Sequence, residues 1–479
     1  MSTPSRSGQS THADADRRWL LLTLGIALMV MLLLDRPLVR GDGVAYLAWV
    51  DSFVLDADIQ FDNQLERLRN VNTYQLQWNE TTQRLVNIFP FGAAIIETPF
   101  YAIGHWFAVN GWWDANPDYF HAQQGVWRPY SLWLMIGANV MGLVVVGVSW
   151  QLARRFTSAP NATLVALATL LGTPLLYYLT VSPLNSHNAG AFAFALFLWL
   201  LLRIQDALID HGAGKDASST LHSPLFTLHF LLLGLTAGLM VLSRWQLLLV
   251  AAPAWPIFFR PKTLTWHALK HPLIATLAAA IVCLPLPISW NIMFGEPFVI
   301  PYDAVNDSNG TFLTLPRNAI QVLVQTIAHS PVIALALAGV VALWRPQRQL
   351  AVYAAVVIGL QLYLNGGVLD WWAGETYGMR RMSELFPLYA LLIAALLQSV
   401  TRFRVTDYGL RITLFTVTLY ALLYLLIFVN YTWTNTDAVF INHVPIMWEH
   451  FWSQPNRWAV TWEVWRTHLG PWAWAMPGP

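Results

Sequence analysis

Apolar runs of roughly bilayer-spanning length, about twelve of them, recur along this chain from near residue 19 to near residue 430. They fall near 19–34, 88–109, 131–152, 162–182, 189–204, 228–243, 245–259, 271–292, 319–344, 349–365, 383–400 and 411–430. Only 11% of the 479 residues are charged, against about a quarter in a soluble domain, so lipid must be the main solvent of the fold. The expected fold is therefore all-α: a polytopic integral membrane protein with about 11–13 transmembrane helices. Several runs are short or broken by Pro90, Pro99, Pro174, Pro285, Pro287 and Pro331, which neighbouring helices or water can tolerate. No internal repeat is visible, which weighs against an inverted-repeat transporter.

Basic residues set the orientation. Arg17 and Arg18, Arg154 and Arg155, Arg203 with Lys215, Arg260 with Lys262, Arg345 with Arg348, and Arg402 with Arg404 flank alternate loops. Positive residues near span ends stay cytoplasmic. The N-terminus is then inside, and the loops near 183–188, 293–318 and 366–382 and the C-terminal tail are outside. That arrangement needs an odd number of spans, so the count of twelve is in error, most plainly between 35 and 130. Residues 1–18 read as a polar, disordered cytoplasmic tail and 19–430 as the transmembrane domain. No small-residue cleavage site follows the first span, which is expected to stay uncleaved. Net charge is +1, which argues against a nucleic-acid partner held by bulk charge. Cys283 is the lone cysteine, so no disulfide or Cys-based metal site forms within the chain.

Residues 35–87 are the longest polar excursion, expected as the first outer loop. Within it Tyr46, Trp49, Val50, Phe53 and Val54 repeat at helical spacing, which predicts a short helix lying in the membrane interface. Tryptophan is abundant, at 25 residues, and its ring favours the lipid–water boundary. In 431–479, Trp458, Trp462 and Trp465 share one helical face and Trp448 and Trp452 another. That predicts a tail anchored in the headgroup layer.

The chemistry-bearing residues gather at the outer membrane edge. Asp42 stands between Gly41 and Gly43. It is placed either to cap the following helix or to serve as a general base whose glycines let substrate approach. Asp56 and Asp58 form an Asp-x-Asp that could share a divalent cation with phosphate oxygens, although Asp-rich turns are common. Arg380 and Arg381 run against the positive-inside tendency. They fit a phosphate, which guanidinium pairs with bidentately, or an ion pair with Asp370, Glu375 or Glu384. His187, within Ser186-His187-Asn188, could bond phosphate or orient a carboxylate. Arg244 and Glu97 are expensive inside a membrane and count as functional candidates, with snorkelling and the capping of a break at Pro99 as their plainer readings.

Together these segments resemble the GT-C type membrane glycosyltransferases, relatives of protein O-mannosyltransferases and lipid A aminoarabinose transferases. The resemblance rests on the GDG-x-x-Y start at Gly41 to Tyr46, on LDADIQFDN and on NIFPFGAAIIETPFYAIGH. It continues through TPLLYYLTVSPLNSHNAGAFAFALFL and WWAGETYGMRRMSELFPLYALLI, and covers roughly residues 35 to 400. It implies a sugar donor carried on a polyprenyl phosphate and transfer to a hydroxyl of a cell-envelope acceptor on the non-cytoplasmic face, usually with inversion. It implies a bacterial inner-membrane location, with membrane lipids around the donor. The family's catalytic acidic residue in the first outer loop matches Asp42. Arg380, Arg381, His187 and Arg244 would then meet the donor phosphate, and Tyr46, Glu375 and Tyr377 the substrate. No cofactor is required in this scheme, and a divalent cation is optional. The chain departs from the family's GWSYGPR-like loop, with Glu375 and Thr376 in place of Trp-Ser and Met379 in place of Pro. No large soluble C-terminal domain is visible, so transfer to Asn sequons is not expected. A flippase for lipid-linked sugars and a non-catalytic assembly subunit are the competing classes.

Overall fold

In hydrocarbon a backbone must satisfy its own N–H and C=O groups, so apolar runs fold as helices. The computed structural model describes residues 6–36, 39, 41–67, 73–111, 129–212, 224–259, 266–305, 313–373, 377–402, 407–434 and 444–469. Helix α1 is Arg6–Leu34, α2 Gly43–Asp51, α3 Asp62–Arg67, α4 Gly92–Val109, α5 Tyr130–Arg154, α6 Ala159–Gly172, α7 Leu175–Thr180 and α8 Ser186–Gly212. Helix α9 is Pro224–Ser243, α10 Leu248–Ala251, α11 Ala254–Phe258, α12 Trp266–Cys283, α13 Pro285–Phe294 and α14 Pro301–Val305. Then come α15 Ala319–His329, α16 Val332–Leu343, α17 Arg348–Gly367, α18 Phe386–Arg402, α19 Asp407–Thr434, α20 Val444–Ser453 and α21 Arg457–His468. A two-stranded antiparallel hairpin, β1 Leu76–Asn79 and β2 Arg84–Asn87, pairs Leu76 with Asn87. Helix α1 begins inside the polar N-terminal stretch that composition marked as disordered.

Among the described residues eight helices are long and apolar enough to cross a membrane, and two shorter apolar helices lie at Ala159–Gly172 and Trp245–Phe258. Proline shortens or divides several of the apolar runs, because it removes a backbone donor. The run at 162–182 divides at Pro174 into α6 and α7, and the run at 245–259 becomes a short 3₁₀ turn with α10 and α11 around Pro253. The run at 319–344 bends by 114° between α15 and α16, beside Pro331. Counted as one span, that pair brings the total to nine among the described residues.

The stretch 35–87, expected as the first outer loop, also differs from expectation. Every residue of α2 is buried, so its aromatic face packs inside the protein rather than lying on lipid. Phe61 meets the Trp49 ring edge-on at 4.8 Å, Phe91 lies 5.2 Å from it, and Trp49 Nε1 donates to the Phe89 carbonyl at 3.0 Å. Asn87 Nδ2 donates to the Ala45 carbonyl at 2.8 Å and ties the hairpin to α2. These aromatics, with Val44, Leu85, Val86, Leu184, Leu286 and Trp290, make a second core beside the main helical one. At the other end of the chain, Trp452, Trp458 and Trp462 remain half exposed. Trp465 instead anchors inward, Nε1 donating to the Leu33 carbonyl at 3.0 Å.

Within the bundle, α9 and α12 touch backbone to backbone. A Cβ added at Gly234 would sit 2.1 Å from the Ala275 carbonyl oxygen, inside contact distance. Small residues allow such close crossings in membranes. Gly234→Val is expected to force the pair apart and destabilise by about 1–3 kcal/mol, the scale of overpacking. A thermal melt in detergent reads the change, and an unaltered midpoint would contradict this packing.

Candidate active site

Asp42 is placed by backbone that needs its two glycines. Gly41 has φ +56°, which favours glycine, and a Cβ at Gly43 would lie 2.7 Å from the Leu184 carbonyl oxygen. The Gly41 carbonyl also accepts from Gln75 Nε2. Asp42 sits at the start of α2 but makes no side-chain capping bond, so its carboxylate is spent elsewhere. Oδ2 accepts from Arg380 Nη1 at 2.5 Å and Oδ1 from Tyr74 Oη at 2.6 Å. Burial, the largest influence, would raise the Asp42 pKa. The Arg380 charge, the Tyr74 hydrogen bond, Arg244 and Arg381 together outweigh it and hold the carboxyl below its ordinary value. Tyr74 is shifted the other way, by burial and then by the Asp42 charge, and stays a proton donor.

Asp42 and Tyr46 from the start of α2 meet Arg380, Arg381, Arg244 and Ser186 around one cleft. Phe89, Trp245 and Tyr302 form aromatic wall, with the Phe89 and Tyr302 rings edge to face at 6.0 Å. Each cleft arginine has its own carboxylate. Arg380 has Asp42, Arg381 Nη2 has Asp370 at 2.6 Å, and Arg244 Nε has Glu384 at 2.9 Å. Arg380 and Arg381 are thus both ion-paired, and both line the cleft. Arg244 is not merely snorkelling; Nη1 lies 3.2 Å from Ser186 Oγ inside the protein.

His187 is fully buried and does not line the cleft. Its Nδ1 lies 2.7 Å from Glu384 Oε1, and its ring nitrogens are 3.2 Å from Arg244 Nη1. It stands behind Arg244 rather than in front of a ligand. Tyr377 lies in the aromatic core, stacked on Tyr424 and against Tyr177 and Phe428, with no place in the cleft wall. Its neighbour Glu375 lies outside the described residues, as do Thr376, Arg40, Lys215, Arg260, Lys262 and Arg404. Glu97 is buried between α4 and α5 against Phe100 and Gly137, apart from the cleft wall.

Asp56 and Asp58 are not brought to the cleft. Arg67 bonds both Asp56 oxygens, at 3.0 and 3.1 Å, and Gln64 Nε2 reaches Oδ2 at 2.5 Å. Asp58 Oδ1 accepts from Ser52 Oγ at 2.8 Å and from the Gln60 amide at 3.1 Å. The carboxylates thus fasten α3 to the end of α2, together with Asp51, which also takes Tyr101 Oη at 2.6 Å. Among the described residues no group of three or more His, Cys, Asp or Glu is placed to hold a metal ion. The Asp-x-Asp accordingly does not fit a divalent cation serving the cleft.

Sequence reasoning missed Tyr74, for which nothing local gives a signal. It named Glu384 only as an ion-pair candidate. A carboxylate beside a long apolar run was signal enough to ask for its partner.

No known sequence family and no curated protein matches the chain. Solved structures do. An oligosaccharyltransferase, AglB from Archaeoglobus fulgidus, in complex with an inhibitory peptide and a dolichol-phosphate, aligns with a TM-score of 0.50 at 12% identity. The alignment covers 97% of this chain and 61% of that one, so the chain spans about three fifths of its length. The likeness shows that the chain shares the overall helical fold of the aligned part of that structure. Crystal structures of an A. fulgidus oligosaccharyltransferase in the apo form (13% identity, TM-score 0.47, 96% and 61% covered) and with zinc and sulfate (14%, 0.48, 96% and 58%) align less well and add no argument.

Glu384 holds Arg244 and His187 at once. Glu384→Ala is expected to cost about 3–5 kcal/mol, the scale of breaking a buried pair, because it strands a cation. Glu384→Gln keeps an acceptor and should cost less. Chemical denaturation in detergent reads both, and wild-type stability in Glu384→Gln would mean that the charge of Glu384 plays no part.

Proposed function

We propose that this chain is a membrane glycosyltransferase that moves a sugar from a polyprenyl-phosphate donor to a hydroxyl of a cell-envelope acceptor. The observation that carries the reading is the meeting of one ionised carboxylate, Asp42, with Arg380, Arg381 and Arg244 around one cleft, on a GT-C type fold. A dolichol-phosphate accompanies the archaeal neighbour, which supports a lipid-linked donor here. The charge pattern supports a cleft on the non-cytoplasmic face of the membrane, and the family resemblance implies a bacterial inner membrane.

In the reaction, the acceptor oxygen attacks C1 of the donor sugar while its proton passes to the Asp42 carboxylate. The bond from C1 to the phosphate oxygen breaks, and its electron pair leaves with the polyprenyl phosphate. Attack from the face opposite the leaving group inverts C1. Arg380, with Arg381 and Arg244, neutralises the charge that develops on the phosphate, where preorganised cations are worth most. One base and one good leaving group suffice, unlike a hydrolase with paired carboxylates. The aromatic wall of Phe89, Trp245 and Tyr302 gives the sugar an apolar face to rest on.

Asp42→Asn should lower the transfer rate by about 10²–10⁴-fold, the scale of general base catalysis, in a detergent assay with labelled polyprenyl-phosphate sugars. Near-normal rates would remove Asp42 from the chemistry. Arg381→Ala should chiefly raise the Michaelis constant for the donor, if Arg381 holds phosphate equally in ground and transition states. The pH profile gives a further check. The active form is the carboxylate, and its pKa is lowered, so kcat/KM, which reports the free enzyme, should lose nothing through Asp42 until pH falls below about 3.9, the ordinary Asp value. In Arg380→Gln, burial is left opposed by weaker partners, and the acid limb should move to higher pH. An unmoved limb would mean that Arg380 does not set the ionisation of the base.

A further inference from the structure

The geometry at Asp42 contains a tension that bears on how the base works. A carboxylate can accept from about four directions, and here Arg380 and Tyr74 already occupy one oxygen each. The guanidinium favours the ionised form, so it keeps Asp42 charged and also makes it a poor proton acceptor. The other two cleft arginines are restrained differently. Arg381 is held at both terminal nitrogens by Asp370, through the side chain and through the carbonyl at 3.0 Å. Arg244 is held at Nε by buried Glu384. Neither Asp370 nor Glu384 lines the cleft, whereas Asp42 does. Arg380 is thus the cleft arginine whose carboxylate lies in the same space that a phosphate would enter.

We propose that the donor phosphate and Asp42 compete for the Arg380 guanidinium, so that donor capture releases the base. This rests on reading Asp42 as the base and the cleft as the donor site. A phosphate offers guanidinium a denser, bidentate anion than the one contact Asp42 makes. When Arg380 turns to it, Asp42 keeps Tyr74 alone and gains proton affinity. The base is then strong only when a donor is in place. Acceptor binding ahead of donor would be unproductive, and Tyr74 holds the carboxylate in position throughout.

The test is binding, which does not depend on transfer. Polyprenyl phosphate without sugar is titrated into the purified full-length protein in detergent, using wild type, Asp42→Asn, Asp42→Ala, Arg380→Gln and the double variant Asp42→Asn with Arg380→Gln. Both Asp42 variants should bind about tenfold more tightly than wild type, the scale of one charged hydrogen bond freed from competition. Arg380→Gln should bind more weakly, and in its background Asp42→Asn should bring no gain. A gain of the same size in that background would be simple relief of repulsion and would overturn the proposal. So would equal or weaker binding by both Asp42 variants, or no binding by any protein. Two failures stay separable. Sugar transfer by wild type with no gain in the Asp42 variants would keep the transferase and remove the competition. Tighter binding through Arg380 without transfer by wild type would keep the competition and remove the transferase.

Discussion

A guanidinium at a membrane edge needs an anion or water beside it, because desolvating a lone cation costs several kcal/mol. Arg244, Arg380 and Arg381 meet that need with three carboxylates, Glu384 and Asp42 from distant parts of the chain and Asp370 from the same loop as Arg381. The Arg380–Asp42 contact joins residues 338 positions apart. It exists only if the first outer loop folds back onto the start of the late span that carries Arg380. The cleft between them is a consequence of that closure. Its charge is nearly balanced without a ligand, which keeps an otherwise costly cluster of cations stable until an anion arrives.

The scaffold that holds this contact is aromatic rather than electrostatic. Trp49 locks α2 under Phe61, Phe89 and Phe91, and Asn87 ties the hairpin to the same helix. Asp51, Asp56, Arg67 and Gln64 then fasten the helix end. The loop that carries the base is therefore a small core of its own. That rigidity suits a residue whose position relative to a phosphate must hold to a fraction of an ångström.

The sequence made the helical membrane fold plain, because long apolar runs with few charges leave little choice. It did not show how the runs divide, since hydropathy does not see how sharply the chain breaks beside Pro331 or Pro174 within a packed protein. Arg380, Arg381 and Arg244 were legible as charges out of place for their depth, and Asp42 as a carboxylate between two glycines. The burial of α2 was not: an amphipathic face reads the same whether lipid or Phe61 covers it. The Asp-x-Asp misled for a similar reason, because spacing shows two carboxylates but not that Arg67 has already claimed one of them. Tyr74 and the pairing of Glu384 with both Arg244 and His187 depend on contacts across the chain that no local pattern encodes.

Whether this cleft is the site of transfer turns on where a lipid phosphate sits. A cryo-electron microscopy structure of the full chain in a nanodisc with a bound polyprenyl-phosphate sugar would answer this directly. The phosphate should lie within hydrogen-bond distance of Arg380 and beside Arg244 and Arg381, with C1 of the sugar facing Asp42 and the Arg380–Asp42 contact opened. A phosphate bound elsewhere, with that contact closed and the cleft empty, would contradict the assignment of this cleft as the site of transfer.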